Sequence, residues 1–202
     1  MLIECGFVRA TTEDGTEFTF TPSLGRIAAL GNPQEIVALY AALHGPKAEA
    51  EAAYVLAGLC DQADPSALIG WHEPDPDAPL GQARLRWRDG QMPPAERVII
   101  ARHLMQHGIV GKARPEKSGS GDYSDRFDAA EYIAAARVHL GLSSADAEAL
   151  SMTELQQMLE MKFPDAAKRQ ATDIPSLEEY QAAEERARAI RARVKIEEPA
   201  RV

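Results

Sequence analysis

Two histidines, His103 and His107, stand one helical turn apart in a stretch that predicts a helix. This spacing places both imidazoles on one helix face, as in zinc proteases, where a glutamate directly after the first histidine acts as general base. Here that position holds Leu104, and no third ligand is evident. The alternative is that both are polar edge residues near a helix C-terminus, where a cationic imidazole is favoured. We prefer this second interpretation.

An acidic stretch at residues 71–81 (WHEPDPDAPLG) resembles a calcium loop in composition only. Its carboxylates alternate along the chain: Glu73, Asp75 and Asp77. A calcium loop needs a glycine-containing turn and a distal bidentate carboxylate, whereas three prolines stiffen this segment. We expect a solvated acidic loop with no regular element here.

Other candidate sites lack the context that their chemistry requires. Residues 118–121 (SGSG) have no preceding strand and no following Gly-Lys-Ser/Thr, so a phosphate loop is not predicted. Cys5 and Cys60 are expected to be reduced thiols that pack as small hydrophobic residues. A C-terminal basic run is flanked by glutamates and lacks aromatic residues, so a solvated or protein-binding helix is favoured over a nucleic-acid arm. That run comprises Arg186, Arg188, Arg191, Arg193 and Lys195. We therefore expect a protein that is not an enzyme and holds no metal or cofactor.

The composition is that of an acidic globular protein. The 202 residues carry a net charge of −9, and 45% of them are hydrophobic. A field of this sign repels nucleic acid and anionic membranes. No apolar run approaches the length of a bilayer span, and the N-terminus lacks the pattern of a signal peptide. A cytoplasmic location is expected.

The elements that position these residues predict a mainly α fold. We expect a helical bundle with a small N-terminal antiparallel β element, followed by a C-terminal helical hairpin and a charged helix. Residues 1–111 form the predicted N-terminal helical domain with its β-hairpin, and residues 112–126 a flexible linker. Residues 127–170 form the helical hairpin module, and residues 171–202 the charged C-terminal helix.

Local signals fix several boundaries, and Gly108 is expected to end the helix that contains His103 and His107. Asp14-Gly15 is a strong hairpin turn signal between β-prone runs. Asn32 with Glu35, and Ser151 with Glu154, predict capping boxes. Residues 82–88 alternate between apolar residues and arginine, which predicts a half-buried strand that could pair with the N-terminal hairpin.

Apolar residues in the last two helices are the candidate partner-binding surface. In residues 151–163 they either pack against helix 128–140 or offer an adaptable, methionine-rich surface. In the C-terminal helix they form a weak heptad stripe that a partner or a second copy would cover. The set is Leu155, Met158, Leu159, Met161, Phe163, Tyr180, Ile190 and Val194.

Several stretches resemble proteins of bacteriophage tail assembly. They are FDAAEYIAAARVHLGLS at 127–143 with ADAEALSMTEL at 145–155, and, upstream, FTPSLGRIAALGNP at 20–33, MPPAE at 92–96 and HLMQHG at 103–108. The resemblance covers roughly residues 18–165. It implies a tail assembly chaperone of a long-tailed phage, located in the host cell cytoplasm.

The resemblance also implies the partners, which are the tape measure protein or tail-tube subunits. The family has no residue-level motif to carry over. An alternative is a phage-encoded protein that binds and inhibits a host protein, for example in superinfection exclusion. Homo-oligomers are compatible with both interpretations, and neither predicts binding to nucleic acid or to a membrane.

Overall fold

The computed structural model describes residues 5–78, 84–112 and 125–164. The strands are β1 (Val8–Thr11), β2 (Glu17–Phe20), β3 (Gly70–Pro74) and β4 (Leu85–Asp89). The helices are α1 (Leu24–Ala29), α2 (Pro33–Ala42), α3 (Ala48–Leu59), α4 (Ser66–Ile69), α5 (Pro94–Met105), α6 (Ala129–Ala135), α7 (Ser144–Ala149) and α8 (Met152–Lys162). The mainly α class is confirmed. Most of the predicted linker (113–124) and the whole of the predicted C-terminal helix (171–202) lie outside the described residues.

The predicted N-terminal β-hairpin is present. Strands β1 and β2 pair antiparallel, with Val8 opposite Phe20 and Thr11 opposite Glu17. Asp14 Oδ1 accepts hydrogen bonds in the turn, and Gly15 adopts a φ of +87° that favours glycine. The hairpin is anchored to the end of α3 by main-chain hydrogen bonds, as its marginal stability in isolation requires.

Both predicted capping boxes form. The side chain of Asn32 accepts from the backbone N–H groups of Gln34 and Glu35, and Glu35 accepts from the Asn32 N–H at 2.8 Å. At α8, Ser151 Oγ accepts from the Glu154 N–H, and Glu154 accepts from the Ser151 N–H at 2.8 Å. These bonds satisfy donors that a helix start would otherwise leave unpaired, and they set the first residue of each helix.

Helix α5 runs further than its sequence suggested, and α5 and α6 each continue through a π-helical turn. The turn after α5 spans Gln106–Val110, so Gly108 does not end the helix as predicted. A Cβ on Gly108 would lie 2.6 Å from Ile27 Cδ1, which shows that this glycine permits a close contact with α1. The turn after α6 spans Ala136–Leu140 and ends, as predicted, at Gly141.

The second strand pair corrects two expectations. Residues 70–74 form strand β3, although the proline-rich stretch 71–81 was expected to have no regular element. Pro74 is the last residue of the strand, a position where proline is tolerated. Strand β4 pairs antiparallel with β3, not with the N-terminal hairpin. Its apolar residues also stay exposed, Leu85 by 63% and Trp87 by 37%, so this strand is not half-buried on an apolar face.

One hydrophobic core joins the two sides of the predicted linker. Ala129, Ala136 and Leu155 belong to the same buried cluster as Leu24 and Ile27 of α1. Main-chain hydrogen bonds join Leu24 N–H to the Leu150 carbonyl at 2.7 Å, and Phe127 N–H to the Pro33 carbonyl at 2.9 Å. Contacts group Met1–Lys162 as one compact unit and Phe163–Val202 as a second. The predicted division between 1–111 and 127–170 thus does not separate two cores, because α6 and α8 complete the core around α1.

Candidate functional site

The predicted partner-binding stripe on α8 is divided between the core and the surface. Leu155 is 1% exposed, and Met158 and Leu159 are half-buried. Met161, at 83% exposure, and Phe163, at 43%, reach the surface. The remaining candidates, Tyr180, Ile190 and Val194, lie outside the described residues. Of the two interpretations of the α8 stripe, packing accounts for its N-terminal half.

His103 and His107 do lie side by side, with ring centroids 4.6 Å apart. His107 Nδ1 is 2.8 Å from the hydroxyl oxygen of Thr153, a residue that is 1% exposed. Burial lowers the pKa of both imidazoles, and the neighbouring His103 lowers the pKa of His107 further. His107 therefore belongs to the contact between α8 and the π-helical turn that follows α5. Among the described residues, no group of three or more His, Cys, Asp or Glu side chains could hold a metal ion.

One carboxylate of the acidic stretch, that of Glu73, is paired with two arginine side chains. Glu73 lies opposite Arg86 in the strand register and accepts its Nε–H at 2.6 Å. The same carboxylate oxygen accepts from Arg88 Nε at 3.0 Å. These bonds lower the pKa of Glu73, with the Arg86 hydrogen bond as the main cause. Glu73 therefore ties β3 to β4.

Neither cysteine forms a disulfide; Cys5 and Cys60 are both buried. Burial raises the pKa of the Cys60 thiol, which keeps it protonated and unreactive. The glycine-rich stretch at 118–121 and the basic run near the C-terminus lie outside the described residues.

A half-open groove between α3 and the β3–β4 pair is the most distinctive surface of the described chain. We call it the aromatic groove. It comprises two adjoining cavities of about 380 and 450 Å³. Both are lined by Ala50 and Ala53 of α3 and by His72 and Trp87 of the strands. The first cavity adds Tyr54, Ala57, Asp64 and Trp71, and the second adds Lys47, Glu49, Asp89, Pro94 and Arg97.

The aromatic walls of the groove are exposed yet held in place. Tyr54 is 52% exposed, Trp71 42% and Trp87 37%. The Tyr54 hydroxyl donates to the Leu30 carbonyl at 2.8 Å, and Trp87 Nε1–H donates to Asp89 Oδ1 at 2.9 Å. Aromatic residues with fixed orientation offer large contact area at low entropic cost, which is why they dominate binding hot spots.

A buried arginine supports the groove from below. Arg97 is 3% exposed, and its guanidinium donates to the Ile69 carbonyl at 2.5 Å and to Asp89 at 2.8 Å. Its guanidinium carbon lies 5.6 Å from the Trp87 ring centroid, within the range of a cation–π interaction. Arg97 therefore joins α4, α5 and β4 and holds Trp87 against the helices.

The position of this groove was not predicted from the sequence. The stretch containing Trp71 was expected to be irregular, and Trp87 was expected on the buried face of a strand. The signal that could have found it is the pairing of two short β-prone runs flanked by Gly70 and Gly90. A Cβ on Gly90 would lie 2.6 Å from the Gly70 backbone nitrogen. The two glycines therefore permit the close backbone approach at which the pairing of β3 and β4 begins.

The fold is mainly helical and carries a half-open groove lined by aromatic residues. The chain belongs to a family of unknown function, DUF6246, whose model matches residues 45–182. Every residue that lines the groove falls within this match, whereas the N-terminal hairpin, α1 and α2 precede it. No curated protein and no solved structure matches the chain. Within the described ranges, no helix has the length and apolar character that crossing a membrane requires.

Proposed function

We propose that this protein is a binding factor, not an enzyme, and that it acts as a phage tail assembly chaperone. In this role it holds a helical segment of the tape measure protein in the host cytoplasm while tail-tube subunits assemble. The phage context rests on the sequence resemblance of residues 18–165. The finer architecture, a helical bundle with a C-terminal hairpin and a charged helix, is part of the same proposal.

The observation that carries the proposal is the gathering of exposed aromatic side chains in the aromatic groove. Trp71 and Trp87 are the only tryptophans in the chain, and both line it. Isolated exposed apolar residues are ordinary on protein surfaces, but a contiguous aromatic patch beside a cavity marks an interaction site.

The shape of the groove favours a helical occupant. Its floor on α3 consists of small residues one or two helical turns apart: Ala50, Ala53 and Ala57. Small side chains let a second helix approach closely, because interaxial distance depends on the side chains at the contact. The flanking aromatic residues would then contact the sides of that helix.

Co-expression with the tape measure protein of the source phage tests this function. We expect the tape measure protein to stay soluble and to co-purify with the chain. Tape measure protein that remains insoluble and does not co-purify would contradict the proposal. A pull-down from host lysate that instead recovers one host protein stoichiometrically would support the inhibitor alternative.

A further inference from the structure

The Tyr54 end of the aromatic groove has the composition of a cation-binding site. Three exposed aromatic residues line this cavity, namely Tyr54, Trp71 and Trp87. The side chain of Trp87 shares a strand face with His72, whereas that of Trp71 lies on the opposite face. Asp64 contributes a carboxylate, and among the described residues no lysine or arginine lines this cavity. Aromatic faces attract ammonium and guanidinium groups, and a nearby carboxylate adds a favourable charge.

The carboxylate is held in place and ionised. Asp64 Oδ1 accepts from the Ser66 N–H at 3.0 Å, which fixes it at the start of α4. Hydrogen bonds from Ser66 lower the pKa of Asp64, so the group is charged at neutral pH. Asp64 is exposed, and therefore remains accessible to a ligand.

We propose that this end of the groove binds the arginine or lysine side chain of a protein partner, beside Tyr54 and Trp87 and close to Asp64. A polypeptide is the expected occupant because the second cavity adjoins this one along α3 and shares four of its lining residues, so that a bound chain could extend from one cavity to the other. The charge of the chain, −9, favours a basic partner as well.

This inference rests on the proposed binding role, since it names the chemistry that the partner presents. It does not require the tape measure protein for its test. The two tryptophans of the chain both lie at this site, so tryptophan emission reports on the groove alone.

The experiment is a fluorescence titration of the full chain with two small probes of nearly equal shape. N-acetyl-arginine amide carries the guanidinium charge, and N-acetyl-citrulline amide lacks it. We expect the arginine probe to change tryptophan emission saturably and the citrulline probe to bind about tenfold more weakly, at matched ionic strength. Asp64→Asn should weaken arginine binding about threefold to fivefold, because an asparagine side chain can still accept the hydrogen bond from the Ser66 N–H but carries no charge.

The matched control is Asp77→Asn, an exposed carboxylate that does not line the groove. It should leave the titration unchanged, and circular dichroism should show all variants folded. Equal binding of both probes, no saturable response to arginine, or an identical effect of Asp64→Asn and Asp77→Asn would overturn the inference. None of these results would decide the chaperone function, because the co-expression test measures binding of the tape measure protein and not of the small probes.

Discussion

The guanidinium carbon of Arg97 lies 5.6 Å from the ring centroid of Trp87, so a buried cation supports the wall that an exposed tryptophan presents to the groove. Arg97 belongs to α5 and Trp87 to β4. The shape of the aromatic groove therefore depends on the packing of the helices beneath it.

Replacing Arg97 with alanine should destabilise the fold. The variant loses the hydrogen bonds to the Ile69 carbonyl and to Asp89, so the buried carbonyl no longer has the guanidinium as its donor. We expect the free energy of unfolding to fall by about 2–3 kcal/mol in urea denaturation. The control Arg9→Ala removes only an exposed pair with Glu17 and should cost less than about 1 kcal/mol. Equal costs for both variants would show that Arg97 has no structural role.

Replacing Gly90 with alanine should disrupt the β3–β4 pair. The new Cβ would lie 2.4 Å from the Leu68 carbonyl oxygen and 2.6 Å from the Gly70 nitrogen, both backbone atoms that cannot give way cheaply. We expect destabilisation of about 2 kcal/mol or more, with altered tryptophan emission. Gly45→Ala meets only the Ala42 carbonyl, at 3.4 Å, and provides the control. Unchanged stability and emission in Gly90→Ala would contradict the described packing.

Lowering the pH should reduce the free energy of unfolding already at pH values above those at which the carboxylates become protonated. The folded-state pKa values of His103 and His107 lie below the ordinary value of 6.5, chiefly because of burial. As pH falls below about 6.5, the unfolded chain gains protons that the folded chain does not, so stability present above this pH is lost. Urea midpoints measured between about pH 7 and pH 5.5 should fall, and should fall less in the double variant His103→Gln, His107→Gln. Urea midpoints of the parent chain that stay constant or rise as the pH is lowered would contradict this link between histidine protonation and stability.

Alanine substitutions at Leu155 and Met161 should change the free energy of unfolding by different amounts, because the first of these positions on α8 is buried and the second is exposed. Leu155→Ala empties a buried position and should cost about 2–5 kcal/mol of unfolding free energy. Met161→Ala alters a side chain that is 83% exposed and should stay within about 0.5 kcal/mol of the parent chain. Thermal or urea unfolding measures both. Similar costs would mean that α8 does not pack as described.

Local signals in the sequence predicted local structure well, because capping and turn chemistry act over a few residues. Asn32 and Ser151 begin their helices as expected, and Asp14-Gly15 closes the hairpin. The partners of β4 and α6 could not be predicted in this way. Strand pairing depends on which edge is free in three dimensions. Helix α6 packs on α1, and α6 and its π-helical turn contribute small core residues, Ala129 and Ala136, that carry little periodic signal.

The candidate site could not be predicted from the sequence for a related reason. The apolar stripe of α8 satisfied the pattern of an adaptable surface, yet Leu155 is needed in the core. Conversely, Trp87 was expected on a buried strand face, and only its register opposite His72 of β3 places it in the wall of the groove beside α3. Exposure is a property of the assembled fold, so the sequence alone could not rank these surfaces.

The most direct test of the central claim is co-purification of the tape measure protein with matched groove and α8 variants. We predict that Tyr54→Ala combined with Trp71→Ala sharply reduces the recovered tape measure protein, while the chain stays folded by circular dichroism. Met161→Ala, on an exposed part of α8, should recover as much as the parent chain. Full recovery with the groove variant, or a loss confined to Met161→Ala, would contradict the account of the aromatic groove as the binding surface.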